Sequence, residues 1–116
     1  MKKSELDLLI EEAKEEEKYF KNYLSWAKKI KRKAQKLLGD KIKVFVFGSI
    51  LRKNEVPGDI DILIISPKLK TSVQKSEILA KIWEMLDFKG PFEIHLINEK
   101  EYKNWYRYFI KKKVKV

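Results

Sequence analysis

Residues 44–66 read VFVFGSILRKNEVPGDIDILIIS. An apolar run stops at a Gly-Ser pair, a polar loop follows, and a second apolar run opens with Asp-Ile-Asp. Residues 42–47 are rich in β-branched and aromatic side chains and predict a strand. Residues 60–65 are almost entirely Ile and Leu, which predicts a second strand buried on both faces. The stretch therefore places two carboxylates, Asp59 and Asp61, at the beginning of a strand that is otherwise apolar.

The rest of the chain predicts three helices and one further strand. Residues 4–38 contain neither Gly nor Pro and repeat apolar residues at helical spacing. This pattern predicts one long amphipathic helix, with Ser4 as its N-cap and Gly39 at its end. Its seven-residue rhythm suits packing on the chain's own sheet, or on a partner helix. The other predicted elements are a helix over residues 71–86, a strand over 92–97, a helix over 99–110 and a loose basic tail.

Composition limits the classes of protein to which the chain can belong. Its 116 residues are 44% apolar, which is enough for the core of one domain. No apolar run approaches the ~20 residues that span a bilayer, and the N-terminus lacks the apolar core of a secretory signal. Cysteine is absent, which excludes disulfides and predicts a cytoplasmic protein. The net charge of +10 favours a polyanionic partner, or simply keeps the chain in solution.

The two carboxylates and the Gly-Ser pair suggest a site for a metal ion and a phosphate. Asp59 and Asp61 are two residues apart, so on a regular strand their side chains share one face. Two like charges side by side need water or a cation between them, and Mg²⁺ prefers carboxylate oxygens. Gly48 and Ser49 open a predicted helical turn whose backbone N–H groups favour a phosphate. Arg52, about one turn further on, can direct its guanidinium at the same anion.

These residues carry a resemblance to a known family. GSILR at residues 48–52, followed by GDID at residues 58–61, resembles the signature of the DNA polymerase β-like nucleotidyltransferases, in particular the minimal nucleotidyltransferases of prokaryotes. Arg52 falls on the arginine of the GSxARG sequence common in that group, whereas Lys53 replaces its glycine and Ile50 a frequent arginine. The close match covers only the two apolar runs and the loop between them, and elsewhere the resemblance rests on the order of elements.

The expected fold class is α/β (α+β), a small nucleotidyltransferase-fold sandwich. It has a mixed sheet of three or four strands, helices packed mainly on one side and a long N-terminal helix. A single nucleotidyltransferase domain is expected over residues 1–116. Within it, residues 1–39 form the long helix, 42–97 the catalytic sheet region and 99–116 the C-terminal helix and basic tail.

The resemblance also implies the residues of the site. Asp59, Asp61 and Glu93 would be the catalytic residues and would ligate two Mg²⁺ ions that hold a nucleoside triphosphate. The implied nucleotide-binding residues are Gly48, Ser49 and Arg52. Glu93 enters the third strand after a Gly-Pro break, and its alternative interpretation is a solvated glutamate on an edge strand.

Two further features stay open at this stage. His95 shares a face with Glu93 on a regular strand, where it would assist a ligand, touch the nucleotide, or simply be a partly buried polar residue. The last predicted helix is rich in aromatic residues, which suit a hydrophobic core, a protein interface or the stacking of a base. These residues are Tyr102, Trp105, Tyr106, Tyr108 and Phe109.

The function implied by the resemblance is Mg²⁺-dependent transfer of NMP, with AMP the expected group, from an NTP to an acceptor. Minimal proteins of this family are commonly paired with a small helical HEPN-domain protein, which implies an antitoxin that modifies a tyrosine of its toxin partner. The alternatives are a non-catalytic protein-binding antitoxin or scaffold, and a nucleic-acid-binding module that uses the basic segments at residues 28–36 and 111–115. Homo-oligomerisation also stays open.

Overall fold

Four strands form one mixed sheet in the computed structural model, which describes residues 4–116. They are β1 (Lys43–Phe47), β2 (Ile60–Ile65), β3 (Phe92–Ile97) and β4 (Lys113–Lys115). The strand order is β3-β2-β1-β4, with β1 antiparallel to both β2 and β4, and β2 parallel to β3. Every residue of β2 except Asp61 is buried. The predicted mixed sheet and its doubly buried strand are confirmed.

The longer helices are α1 (Glu5–Lys21), α2 (Tyr23–Leu38) and α3 (Ser72–Met85). Helices α1 and α2 come before β1 in the sequence, and α3 connects β2 to β3. Helices α2 and α3 pack on one face, where they form a core with alternate residues of β1, β2 and β3. We call this the covered face; β2 contributes Ile60, Ile62 and Ile64 to it. The helices thus lie mainly on one side, as expected. No helix within residues 4–116 is both long and apolar enough to cross a bilayer.

The predicted single N-terminal helix is divided at Asn22. The expected caps are present, since the Ser4 hydroxyl accepts from the Asp7 N–H in a capping box and Gly39 ends α2 with φ +87°. At Asn22 the backbone leaves the helical region, with φ −110° and ψ 28°, and its side-chain amide donates to the Lys18 carbonyl at 3.0 Å. Asparagine competes with helical hydrogen bonds in this way, and this local competition gives a physical reason for the break. Helix α1 has no buried residue.

The C-terminal part of the chain covers the opposite face of the sheet, here called the second face. Its helical segment is α-helical over Glu99–Glu101 and Arg107–Phe109, with a π-helical turn over Tyr102–Tyr106 between them. This segment and Ile110 pack against Leu63 and Ile65 of β2. The last predicted helix is therefore confirmed, although its middle turn is widened.

The prediction of a loose basic tail is wrong. Residues Lys113–Lys115 form β4 against the exposed edge of β1, and the Val116 N–H donates to the Val44 carbonyl at 2.9 Å. An unpaired strand edge presents a row of unsatisfied backbone groups, and β4 satisfies those of β1. The tail therefore closes one edge of the sheet.

The contribution of β2 to the stability of the core can be tested with Ile62, which is 0% exposed on the covered face. We expect Ile62→Ala to lower the free energy of unfolding by about 2–5 kcal/mol, because it removes buried methyl groups and leaves a cavity. Val56→Ala is the control, since Val56 is 95% exposed. Urea unfolding measures both; a change of less than about 0.5 kcal/mol for Ile62→Ala would contradict the assigned core.

Candidate active site

Strand alternation brings Asp61, Glu93 and His95 together on the second face. Asp61 is the second residue of β2 and Glu93 the second residue of β3, and the parallel register sets these two residues opposite each other. His95 lies two residues after Glu93 and therefore on the same face. Helices α2 and α3 pack on the covered face, so the three side chains lie on the same face as the C-terminal helical segment.

The three side chains form a compact group of donor atoms. One ligand atom from each lies within 4.8 Å of the others. The His95 Nε2 atom is 3.6 Å from Asp61 Oδ1 and 3.6 Å from Glu93 Oε1. The Asp61 and His95 side chains are 17% and 22% exposed, while Glu93 is 56% exposed. The group is thus enclosed on the Asp61 side and open on the Glu93 side.

The environment of Asp61 disfavours its charged form. Burial is the main reason that the pKa of Asp61 is raised, and the neighbouring Glu93 carboxylate raises it further. His95 opposes these effects and lowers the pKa in part. A carboxylate with a raised pKa beside a second carboxylate is a common feature of catalytic sites. A bound cation relieves the repulsion between the two negative charges.

Gly48 lies directly against the Asp61 carboxylate. A Cβ atom at residue 48 would be 2.2 Å from Asp61 Oδ2, and the backbone has φ +85°, a conformation that favours glycine. The close approach joins the end of β1 to the predicted metal ligand Asp61. The lack of a side chain at residue 48 therefore allows the Asp61 carboxylate to pack against the backbone.

The turn after Gly48 is shorter than expected. Ser49–Leu51 form a single 3-10 turn instead of the first turns of an α-helix, because the loop leaves for β2 soon after it. Since one turn carries little dipole, phosphate binding here depends on local N–H groups and side chains. Arg52 lies at its end and donates to Glu55 at 2.9 Å in an exposed ion pair.

A cleft of about 490 Å³ adjoins the donor group, a size typical of small-molecule sites. We call it the cationic cleft. It is lined by Phe47, Gly48, Ser49, Leu51, Arg52, Asp61, Phe109, Ile110, Lys111 and Lys112. Asp61 belongs both to this cleft and to the donor group. The predicted residues Gly48, Ser49 and Arg52 therefore share one cleft with a predicted metal ligand.

Sequence reasoning missed the place of Lys111 and Lys112 in this cleft. The two lysines follow the C-terminal helical segment and precede β4. In the sequence they belong to the basic segment at residues 111–115, which by itself indicates only a general attraction to polyanions. The alternation in Lys113-Val114-Lys115 was an available signal for a short strand, but it names no partner strand.

Asp59 lies outside the donor group. It is exposed and precedes the first residue of β2, so it is not fixed by the sheet. Its role as a ligand beside Asp61 stays a prediction.

The aromatic residues of the C-terminal helical segment fall into two groups. Tyr102 and Tyr106 pack on the second face, whereas Trp105, Tyr108 and Phe109 are more than 60% exposed.

The residues present fit a divalent cation. Two carboxylates offer hard oxygen donors, and the His95 Nε2 atom beside them is buried without a hydrogen-bond partner. The two carboxylates and the imidazole nitrogen together form a donor set that can bind a metal ion, and the ion would supply the partner that the nitrogen lacks. The Asp61 carboxylate itself occupies the place that a side chain at residue 48 would take, so glycine is needed for Asp61 to hold this position.

Comparison with known proteins agrees with this geometry. Residues 21–113 match the DNA polymerase beta palm family. The chain is similar to a crystal structure of a candidate nucleotidyltransferase, with 30% identity, a TM-score of 0.65, and coverage of 77% of this chain and 95% of the other. A candidate nucleotidyltransferase from Sulfolobus solfataricus has 21% identity, a TM-score of 0.61 and coverage of 84% and 82%, which supports the fold alone. A search of curated proteins gave no match.

The fold and site define a nucleotidyltransferase-like protein. The chain belongs to the DNA polymerase beta palm family, because the match extends over most of its length. The resemblance of GSILR and GDID to the DNA polymerase β-like nucleotidyltransferases is thereby confirmed, while membership of the minimal group stays a prediction. Nucleotidyl transfer is the general class of reaction that this family and fold support.

Removal of the Asp61 charge should stabilise the metal-free protein. A raised pKa means that the folded state holds the Asp61 proton more tightly than the unfolded state. Stability is therefore lost as the pH rises through the raised pKa. We expect Asp61→Asn to raise the free energy of unfolding by ~0.5–1 kcal/mol at neutral pH in EDTA. This magnitude is typical of like charges that face each other on neighbouring strands.

The measurement is thermal unfolding across a pH series. Asp40→Asn, at an exposed carboxylate outside the cleft, is the control and should melt like wild type. A lower melting temperature for Asp61→Asn at neutral pH would show that the carboxylate stabilises the fold.

Gly48→Ala should damage the site much more than Gly58→Ala. The added Cβ would meet Asp61 Oδ2 and the backbone would keep an unfavourable positive φ, whereas a Cβ at Gly58 meets nothing within 4 Å. We expect a loss of about 1–3 kcal/mol in stability for the first change and less than about 0.5 kcal/mol for the second. Urea unfolding measures stability and calorimetry measures metal-dependent ATP binding. Equal behaviour of the two variants would contradict the close approach.

Proposed function

We propose that the protein is a divalent-metal-dependent nucleotidyltransferase that transfers NMP from a nucleoside triphosphate to an acceptor hydroxyl. The observation that carries the proposal is the position of Asp61, which belongs both to the donor group and to the cationic cleft. An acidic centre beside a basic cleft suits a metal-bound triphosphate, whose ions bind the acids and whose phosphates bind the cations.

The acidic residues have separate roles in this proposal. Asp61 and Glu93, together with the predicted ligand Asp59, would hold two Mg²⁺ ions. Two ions in such a site stabilise the attacking and leaving oxygens of an in-line displacement. Glu93, the most exposed member of the donor group, would accept the proton of the acceptor hydroxyl. The hydroxyl oxygen bonds to the α-phosphorus as the bond to the β-phosphate oxygen breaks, and pyrophosphate leaves.

The cleft residues would bind the triphosphate. Gly48 and Ser49 line the cleft beside Asp61, where backbone N–H groups and the Ser49 hydroxyl would donate to phosphate oxygens. Arg52 would exchange its exposed bond to Glu55 for a phosphate, at little cost because an exposed ion pair contributes only about 0–1 kcal/mol. Lys111 and Lys112 line the same cleft and add positive charge to it.

For the acceptor, we propose a tyrosine of a helical HEPN-type protein, with AMP as the transferred group and an antitoxin role. This part rests on the resemblance stated above. A feature that suits a protein partner is α1, which has no buried residue and exposes Leu6, Leu9 and Ile10 by 45–66%. That unpartnered apolar surface also supports the alternative, a protein of the same fold that neutralises its partner by contact alone.

Calorimetric titration with ATP and other NTPs, with and without Mg²⁺, tests the proposed function without knowledge of the acceptor. We expect saturable, Mg²⁺-dependent binding that weakens at least about tenfold in Asp59→Asn/Asp61→Asn, because the carboxylates hold the ions. The matched control is Asp40→Asn/Asp87→Asn, which removes two exposed carboxylates and leaves the same net charge.

The control separates a built site from simple attraction to a basic protein. Attraction between charges alone would strengthen in both variants, because each loses two negative charges, and would fall steeply with salt. Equal binding by the two variants, or no binding by wild type, would overturn the proposed function. The partner-binding alternative would then lead.

A further inference from the structure

We propose that His95 is itself a metal ligand, so that Asp61, Glu93 and His95 form a mixed oxygen and nitrogen site that prefers Mn²⁺ to Mg²⁺. This inference rests on the proposed function, since it concerns the same site. It departs from the ligand set that the resemblance implies, which contains only carboxylates.

The first argument is the position of the imidazole nitrogen. His95 Nε2 is equidistant, at 3.6 Å, from one oxygen of Asp61 and one oxygen of Glu93. Hydrogen bonds to nitrogen lie at about 2.7–3.2 Å, so neither contact is one, and the nitrogen has no other partner among the described residues. The atom is buried without a hydrogen bond, and its nearest polar neighbours are the two carboxylate oxygens; a buried polar atom without a hydrogen bond is rare in proteins.

The second argument is the spacing of the three donors. Ligands about 2.1 Å from a shared ion, at tetrahedral or octahedral angles, are separated by about 3.0–3.4 Å. The two 3.6 Å distances in the protein differ from these values by only a few tenths of an ångström. The Asp61 and Glu93 ligand oxygens lie within 4.8 Å of each other, so rotation of the exposed Glu93 side chain would bring all three donors onto one ion.

The third argument is that packing holds the imidazole ring in place. Its centroid is 5.3 Å from that of Phe47 and 5.8 Å from that of Tyr106, with the Tyr106 ring edge-on. These contacts favour one ring orientation, with Nε2 directed towards the two carboxylates. A ligand that is already oriented loses little entropy when the ion binds.

The chemistry of the donor set decides which ion is preferred. Mg²⁺ prefers oxygen ligands and loses its water reluctantly, whereas imidazole nitrogen suits first-row transition ions. Mn²⁺ accepts both carboxylate oxygen and imidazole nitrogen. Because the site supplies one nitrogen, removal of that nitrogen should reduce Mn²⁺ affinity more than Mg²⁺ affinity.

The test uses the full-length chain without a tag or nucleotide. His95 is the one histidine in the sequence, so any imidazole bound to a metal must be its own. Titration followed by the EPR signal of free Mn²⁺ gives the Mn²⁺ affinity, and competition gives the Mg²⁺ affinity. Spin-echo modulation spectroscopy detects nitrogen bound to Mn²⁺, and selective ¹⁵N-labelling of histidine assigns it.

We expect ¹⁵N-sensitive imidazole modulation in wild type. His95→Phe, which keeps an aromatic ring between Phe47 and Tyr106, should abolish it and weaken Mn²⁺ binding by about tenfold or more. The loss of Mg²⁺ affinity should be less than about threefold. His95→Gln replaces the nitrogen donor with an amide oxygen and should likewise lose the modulation, which gives a second variant if the phenylalanine protein does not fold.

Three results would overturn the inference. They are bound Mn²⁺ without imidazole modulation, equal losses of Mn²⁺ and Mg²⁺ affinity in the His95 variants, and no Mn²⁺ binding by wild type. The first two results with intact Mg²⁺-dependent ATP binding would leave the proposed function standing with carboxylate ligands alone. Failure of the ATP titration in wild type would reject the proposed function whatever Mn²⁺ does.

Discussion

The parallel pairing of β2 with β3 is the constraint on which the site depends. Its register sets Asp61 opposite Glu93, and the Ile60 N–H fixes the beginning of the pair by donating to the Pro91 carbonyl at 2.7 Å. Because β2 is buried on both faces, it cannot shift by one residue without moving its apolar side chains out of the core. The hydrophobic core therefore holds two like charges together that would otherwise separate.

Several unfavourable features meet at this point. Asp61 has a raised pKa, Gly48 has a positive φ against the Asp61 carboxylate, and His95 Nε2 is buried without a partner. The first and the third cost stability in the free protein, and a bound cation would relieve both. Glycine adopts the second without strain, whereas any other residue at this position would be strained. Their concentration within one small region is typical of a functional site, where the rest of the fold supplies the stability. The apolar strand behind the acids performs that role here.

The C-terminal segment contributes to both fold and site. As β4 it pairs with β1 and removes an exposed sheet edge, while the turn before it brings Lys111 and Lys112 to the cationic cleft. The same segment places Tyr106 against His95. One stretch of chain thus closes the sheet, adds positive charge beside the acids and orients a proposed ligand. The second face stays accessible because this segment, unlike α2 and α3, covers only part of it.

Local patterns in the sequence were sufficient for much of this description. They predicted the strands β1 to β3, the caps at Ser4 and Gly39, and the doubly buried β2, because spacing, propensity and turn residues act over a few positions. The Asp-x-Asp pattern singled out Asp61, whereas Glu93 was implied by the family resemblance. The spacing of two residues on a regular strand also predicted that His95 lies on the same strand face as Glu93. What His95 meets there was decided by the parallel register with β2, and the place of Lys111 and Lys112 by the pairing of β4 with β1. Those pairings join residues far apart in sequence, and their choice depends on how the whole core packs.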